Sequence, residues 1–321
     1  MKINWYVLIA GKLMKQASPN EWPKKSLSKI GENWFDIEDT STEELSSFLA
    51  PLKLHPLQLK RCLDAIDDPG VVSFGNTLLM EYPAAFDLSS DAPAYLTILL
   101  KAPVLVSIRH GSVPALDDLI RDLTADMAPV LHHLPQIIYL ILDQFADLNV
   151  EAQIETRDRI LNMAKTLAED SNSVYAGDLS QLRWQVNKLV SLIENQLYCV
   201  SGLNASDNAA LREPHRKAYI QDLVSEAEIA QRGVYRLEAR VNDLYNDYQM
   251  AGNDRVEKRL RFLTIISAIT LPLGLIAGLL GMNVGGVPGT SSAYGFIVVV
   301  VIMIIIIAIQ YVYFKHSGWF E

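Results

Sequence analysis

Few side chains in this sequence of 321 residues are spaced for catalysis. The sequence contains no GxxxxGKS/T phosphate loop, no HExxH metal motif and no GxSxG nucleophile elbow. His132 and His133 are adjacent, and adjacent residues on a helix do not face the same side, so a surface or packing role is favoured over metal ligation. Asp64, Asp67 and Asp68 form a small acidic cluster that is typical of a helix end and a turn. We therefore expect no enzymatic activity and no resident cofactor.

One motif remains, the tripeptide Gly281-Met282-Asn283, and its position is more informative than its length. It lies within 53 consecutive residues, between Arg261 and Lys315, that include no Asp, Glu, Lys, Arg or His. A charge in the middle of a membrane span costs roughly 2.5–3.5 kcal/mol, which accounts for such a stretch. The tripeptide ends the first of two apolar segments and begins a short loop that is rich in Gly, Pro and Ser.

The two apolar segments, 262–280 and 294–314, are long enough to cross a bilayer, which takes about 20 residues. Basic residues precede the first segment and follow the second, whereas the loop 281–293 has none. The sequence therefore predicts a multi-pass membrane protein with both termini in the cytoplasm. Two buried core helices of a soluble domain are the alternative, although such helices usually keep a polar stripe.

A long helix is predicted directly before the first apolar segment. Nine apolar residues at alternating steps of three and four form a heptad seam: Ile220, Leu223, Ala227, Ala230, Val234, Leu237, Val241, Leu244 and Tyr248. We favour continuation of this helix into the first span, with a joint at Gly252 as the alternative. A helix over 215–280 would be about 100 Å long, so it must pack against copies of itself or against other helices.

The chain divides into four predicted parts: a cytoplasmic α/β domain (1–130), cytoplasmic helical hairpins (131–213), a long stalk helix (214–261) and a two-span transmembrane domain (262–321). Apolar patterns predict strands at 3–10, 71–82, 95–101 and 104–110. Helices are predicted at 42–49, 57–65, 114–127, 134–170 and 179–201.

Charge and cysteine content restrict the partners and the compartment. The formal net charge is −9 at pH 7, which disfavours nucleic acid as a partner, because affinity for phosphates depends on clustered Lys and Arg. Cys62 and Cys199 form no CxxC pair, and a reducing compartment is the simpler interpretation.

Together these features resemble the CorA metal-ion transporter superfamily, in which a GxN tripeptide, usually GMN, ends the first of two closely spaced C-terminal spans after a long helix. Segments 263–266, 271–273 and 276–278 are also similar to the pore helix of that family. The resemblance is sharpest over 214–320, whereas the first 200 residues agree only in general architecture. It implies a funnel-shaped homopentamer in the inner or plasma membrane, with the first spans as an inner ring surrounded by membrane lipid.

By this resemblance the entrance of the pore is formed by Gly281, Met282 and Asn283, and the pore face carries six residues: Leu260, Leu263, Ser267, Leu271, Gly274 and Gly278. Carboxamide oxygens of five Asn283 side chains would accept hydrogen bonds from the waters of a hydrated cation, with a helix C-cap as the alternative role.

The same resemblance assigns roles to two further groups. Leu260, Leu263 and Leu271 would form apolar rings that close the conduit by dewetting, with plain helix packing as the alternative. Asp222 matches an aspartate that binds a regulatory cation between subunits in magnesium-transporting members. A solvated helix face is the alternative for Asp222.

The loop after the tripeptide bears on the transported ion. Magnesium-type members usually carry an acidic residue there, whereas this loop has none, and its segment 285–289 is similar to the ZntB branch, which is associated with zinc. We therefore expect Zn2+ uptake, with a channel-type transporter of Mg2+, Co2+ or Ni2+ as the alternative. ZntB-like members are thought to use a proton gradient, but this pore sequence has no titratable residue from which proton coupling follows. A membrane-anchored coiled-coil scaffold that conducts nothing is a more remote alternative.

Overall fold

The computed structural model describes residues 2–17, 31–38, 40–64, 69–85, 94–125, 128–211, 216–282 and 294–319. The chain forms two compact units, Met1–Leu244 and Tyr245–Glu321. The strands are β1 (Lys2–Ile9), β2 (Lys12–Gln16), β3 (Glu32–Glu38), β4 (Gly70–Phe74), β5 (Thr77–Ala85), β6 (Ala94–Lys101) and β7 (Val104–His110). The helices are α1 (Thr42–Leu49), α2 (Pro56–Leu63), α3 (Pro114–Leu123), α4 (Leu134–Glu169), α5 (Ala176–Ala205), α6 (Arg216–Leu280) and α7 (Gly295–His316).

The seven described strands form one sheet in the order β2-β1-β3-β7-β6-β5-β4. Among them β3 and β7 pair in parallel, and the other neighbours are antiparallel. The prediction of a single strand over 71–82 was wrong, because the chain reverses at Gly75 and forms the hairpin of β4 and β5. Gly75 has a φ of 57°, a left-handed conformation that glycine adopts without steric cost.

Helices cover both faces of the sheet, which explains why its central strands are apolar on both sides. On one face, Phe35, Leu79 and Leu99 belong to a buried cluster with residues of α1 and α2. On the other face, Trp34 and Met80 belong to a second cluster with residues of α3, α4, α5 and the start of α6. The predicted α/β domain is thus a sheet between two helical layers.

A buried charge network ties the parallel pair β3–β7 together. Asp36 accepts hydrogen bonds from Nε and Nη2 of Arg109, at 3.1 and 2.7 Å, and from the Ser107 hydroxyl at 2.8 Å. Burial raises the pKa of Asp36, and the hydrogen bond from Arg109 opposes that rise. Removing one partner of such a buried pair typically costs about 3–5 kcal/mol, so this network stabilises the α/β domain.

The heptad seam of α6 packs within its own chain as far as Leu244. Val234 and Val241 are fully buried, and Val234 shares a cluster with residues of α5. The carboxamide of Gln153 in α4 occupies the space that a Cβ at Gly233 would take, so α4 and α6 lie close together at this point. The expectation that this helix packs against other helices is confirmed. Its continuation through Gly252 into the first span is also confirmed, because α6 is unbroken from Arg216 to Leu280.

Candidate functional site

Two helices, α6 and α7, contain stretches long and apolar enough to cross a membrane. In the most apolar window of each helix, only 6% and 0% of the residues are buried. Core helices of a soluble domain would be mostly buried, so that alternative does not fit. These are the two spans that the uncharged sequence block predicts.

Within the second unit, α6 and α7 meet on one side of α6. Gln310 Nε2 of α7 donates a 2.8 Å hydrogen bond to the carbonyl oxygen of Ala268 in α6. Ile265 and Phe314 are the buried apolar side chains that the structure records in this unit. Because successive residues of an α-helix are about 100° apart, Ile265, Ala268 and Pro272 share one face of α6, which we call the α7 side.

The residues assigned to the pore by resemblance lie on the opposite side of α6. Leu260, Leu263 and Leu271 are 58%, 60% and 71% exposed. Ser267, Gly274 and Gly278 are exposed as well, and a Cβ at either glycine would meet no atom within 4 Å. We call these six residues the pore face. Among the described residues of this chain, the pore face is not covered by any other element.

The hydroxyl groups of the first span differ in their hydrogen bonding. Thr264 donates to the Leu260 carbonyl at 2.8 Å, and Thr270 donates to the Ile266 carbonyl, one turn earlier. Ser267, on the pore face, has no hydrogen-bond partner within the described parts of the chain. The threonines are therefore satisfied inside their own helix, whereas the Ser267 hydroxyl is available to solvent or to an ion's water shell.

The predicted entrance is described only in part. The Gly281 N–H donates to the Ala277 carbonyl at 2.9 Å, which closes the last turn of α6. Met282 is 54% exposed. Asn283 lies outside the described residues, so its role as the ring of the entrance stays a prediction.

Asp222 lies in a crowded acidic region between α4 and α6. The Tyr139 hydroxyl donates a 3.0 Å hydrogen bond to Asp222 Oδ2. Burial and the neighbouring charge of Asp147 raise the pKa of Asp143. Burial and the charge of Asp143 likewise raise the pKa of Glu226. We call Asp143, Asp147, Asp222 and Glu226 the acidic region.

The described residues hold no group of three or more His, Cys, Asp or Glu side chains arranged to bind a metal ion. His133 is half-exposed with Nδ1 3.8 Å from a Glu32 carboxylate oxygen, which fits the surface role favoured for His132 and His133. Asp64 is the C-cap of α2, as expected of a helix end, whereas Asp67 and Asp68 lie outside the described residues. Cys62 and Cys199 are both buried and form no disulfide, and Cys199 Sγ donates a hydrogen bond to the Glu81 carbonyl at 3.1 Å.

One residue of this region escaped the sequence reasoning. Gln310 lies in the second apolar segment, where no polar contact was predicted, yet its carboxamide forms a hydrogen bond with α6. Two features of the sequence could have predicted this contact. A proline inside the first span leaves the carbonyl four residues earlier without its usual donor. The second feature is the amide of Gln310, in a segment otherwise rich in Ile and Val.

Comparison with known proteins agrees with this architecture. The family described as CorA-like Mg2+ transporter protein matches residues 31–316. The zinc transport protein ZntB of Yersinia enterocolitica is 24% identical over 236 residues, which cover 73% of this chain and 70% of that protein.

Two solved structures show the same fold. The CorA magnesium transporter of Methanocaldococcus jannaschii superposes with a TM-score of 0.83 at 17% identity, covering 99% of both chains. The cytoplasmic domain of ZntB from Vibrio parahaemolyticus has a TM-score of 0.61 at 10% identity and covers 78% of this chain and 98% of that one. Since the family match spans most of the sequence, the chain belongs to the CorA-like family of divalent metal ion transporters.

Proposed function

We propose that this divalent metal ion transporter takes up Zn2+ through a homopentameric pore in the inner or plasma membrane, lined by α6. The observation that carries the proposal is the composition of the exposed pore face. It includes a serine and two glycines, whereas the exposed residues of α7 are mostly Ile and Val. Hydroxyl and open backbone groups are poorly suited to lipid and well suited to a close helix contact or to water.

The same geometry supports an assembly of several copies. Two helices cannot enclose a conduit, so several copies must contribute. With α7 on one side of α6 and the pore face on the other, a ring of copies places α6 inside and α7 toward lipid. Rings of Leu260, Leu263 and Leu271 would close the conduit by dewetting, and Ser267 would supply a hydroxyl between them.

The choice of Zn2+ is supported by the loop sequence and by the ZntB relatives. The loop 281–293 has no acidic residue, and the Yersinia enterocolitica relative is a zinc transport protein. Mg2+, Co2+ or Ni2+ transport is the alternative, since the family description and the Methanocaldococcus jannaschii structure both refer to magnesium. The pore face contains no titratable side chain, so coupling to protons would require groups elsewhere.

Parallel flux measurements test the ion and its coupling. The full-length protein is reconstituted into liposomes, and Zn2+ and Mg2+ uptake are followed with indicator dyes, with and without a pH gradient. We expect Zn2+ uptake above that of protein-free liposomes and faster than Mg2+ uptake. Faster Mg2+ uptake would favour the channel-type alternative, and no uptake of either ion would favour the scaffold.

A mass measurement in mild detergent tests the assembly independently of transport. We expect a particle of five chains. A monomer or a dimer would contradict the enclosed pore, whatever the flux results.

A further inference from the structure

Pro272 creates a specific need inside the first span. It lies within α6 and, as a proline, has no N–H to donate to the carbonyl four residues earlier, which is that of Ala268. Lipid offers no hydrogen-bond donor to replace it. The carbonyl of Ala268 therefore lacks its usual donor within α6.

Gln310 supplies this donor from α7. Its Nε2 lies 2.8 Å from the Ala268 oxygen, and the bond is partly buried. From Gly295 to Ile309, no side chain of α7 contains a nitrogen or oxygen atom, so Gln310 is the first residue of α7 that could meet the need. Its own Oε1 is buried without a hydrogen-bond partner among the described residues. The hydrogen bond from Nε2 to the Ala268 oxygen is therefore the one that the Gln310 carboxamide forms there.

The bonded turn of α6 carries two residues of the pore face on its other side. Ser267 precedes Ala268, and Leu271 precedes Pro272. Both are exposed, and the turn between them lacks the N–H of Pro272. A turn weakened in this way can change its shape, and a donor at its back restricts that change.

We infer that Gln310 is a positioning residue for transport: by holding the Ala268 carbonyl that Pro272 leaves open, it fixes the turn of α6 that presents Ser267 and Leu271 to the conduit. The inference rests on the proposed pore function, because it concerns what the pore face presents. It predicts that the importance of Gln310 depends on Pro272.

The test is a double-mutant cycle with a chemical reporter in the full-length protein. Cys62 and Cys199 are fully buried, and burial raises the pKa of Cys62 to about 12, so the native thiols react little. A Ser267→Cys reporter is modified in liposomes with a membrane-impermeant thiol reagent. Four proteins are compared in this background: unchanged, Gln310→Leu, Pro272→Ala, and both together.

We expect Gln310→Leu to change the modification rate by about tenfold, the scale of one lost hydrogen bond to a desolvated carbonyl. Pro272→Ala restores an N–H at position 272, so adding Gln310→Leu to it should leave the rate nearly unchanged. Met303→Leu, two turns before Gln310 on the same side of α7, is the matched control and should have no effect. Zn2+ and Mg2+ flux through the same four proteins without the reporter should follow the same pattern.

Two outcomes would overturn the inference: no effect of Gln310→Leu on rate or flux, or equal effects with and without Pro272. Gln310→Met, which keeps the length of the side chain and removes the donor, replaces Gln310→Leu if the leucine variant fails to assemble. If Ser267→Cys does not react in a protein that transports, the pore-face assignment fails, and the flux cycle alone then decides the role of Gln310.

Discussion

At the scale of single residues, Asn283 carries the sharpest functional expectation. Its carboxamide oxygen would bind the waters of an incoming cation, and alanine has no such acceptor. We expect Asn283→Ala to abolish Zn2+ uptake in liposomes while leaving the oligomeric mass in detergent unchanged. Asn253→Ala, an exposed position of α6 outside the apolar segment, is the matched control. Normal uptake by the Asn283→Ala protein would remove the entrance role.

Asp222 gives a second prediction at this scale. The family resemblance implies a regulatory cation at Asp222 between subunits, and a divalent cation bound there would stabilise the protein by about 1.4 kcal/mol at ten times its Kd. We expect Zn2+ or Mg2+ to raise the melting temperature of the unchanged protein, and Asp222→Asn to remove most of that rise. Asp243→Asn, an exposed carboxylate elsewhere on α6, should keep it. An equal rise in all three proteins would place the stabilising ion elsewhere.

At the scale of elements, local signals predicted the helices better than the strands. Helix α1 matches its predicted bounds, because its start is marked by a capping-box motif. Ser41 Oγ accepts a hydrogen bond from the Glu44 N–H, and a Glu44 carboxylate oxygen accepts one from the Ser41 N–H. Helix α4 also lies within one residue of its predicted bounds. Strand β3 was missed, because its buried polar residues Asn33 and Asp36 break the apolar pattern.

The site was predictable to a similar degree. The six residues of the pore face recur at steps of three and four, so helical periodicity alone predicts that they share one side of α6. The contact between Gln310 and Ala268 joins residues 42 positions apart, and only the packing of α6 on α7 brings them together. Likewise, the seam of α6 could not reveal whether its partners were other copies or α4 and α5 of the same chain.

The side of α6 on which a leucine lies determines its expected effect on conduction. Leu271→Asn would place polar groups in a constriction that closes by dewetting, so we expect a higher resting leak of Zn2+. Leu279→Asn is the matched control, because Leu279 is 56% exposed but lies two heptads after Ile265, on the α7 side. The Zn2+ flux of both proteins is measured in liposomes without a proton gradient. An equal leak in both would contradict the assignment of the pore face.

At the scale of the whole molecule, the proposed shared conduit would make the copies interdependent. We consider co-expression of chains with Asn283→Ala and unchanged chains. Most rings would contain at least one defective subunit, because the two kinds of chain have the same interfaces and assemble at random. We expect Zn2+ flux to fall much more steeply than the share of unchanged chains. A proportional fall would mean that each chain conducts alone. Co-expression with the Asn253→Ala chain should leave the flux unchanged.

The burial of the α6 seam up to Leu244 has a practical consequence. The sheet, its two helical layers and this part of α6 complete a hydrophobic core from one polypeptide, and the division between the compact units falls directly after Leu244. A fragment truncated at that point should therefore remain folded in aqueous buffer without detergent. Ligand screening and isotope-labelled spectroscopy could then proceed on a detergent-free sample.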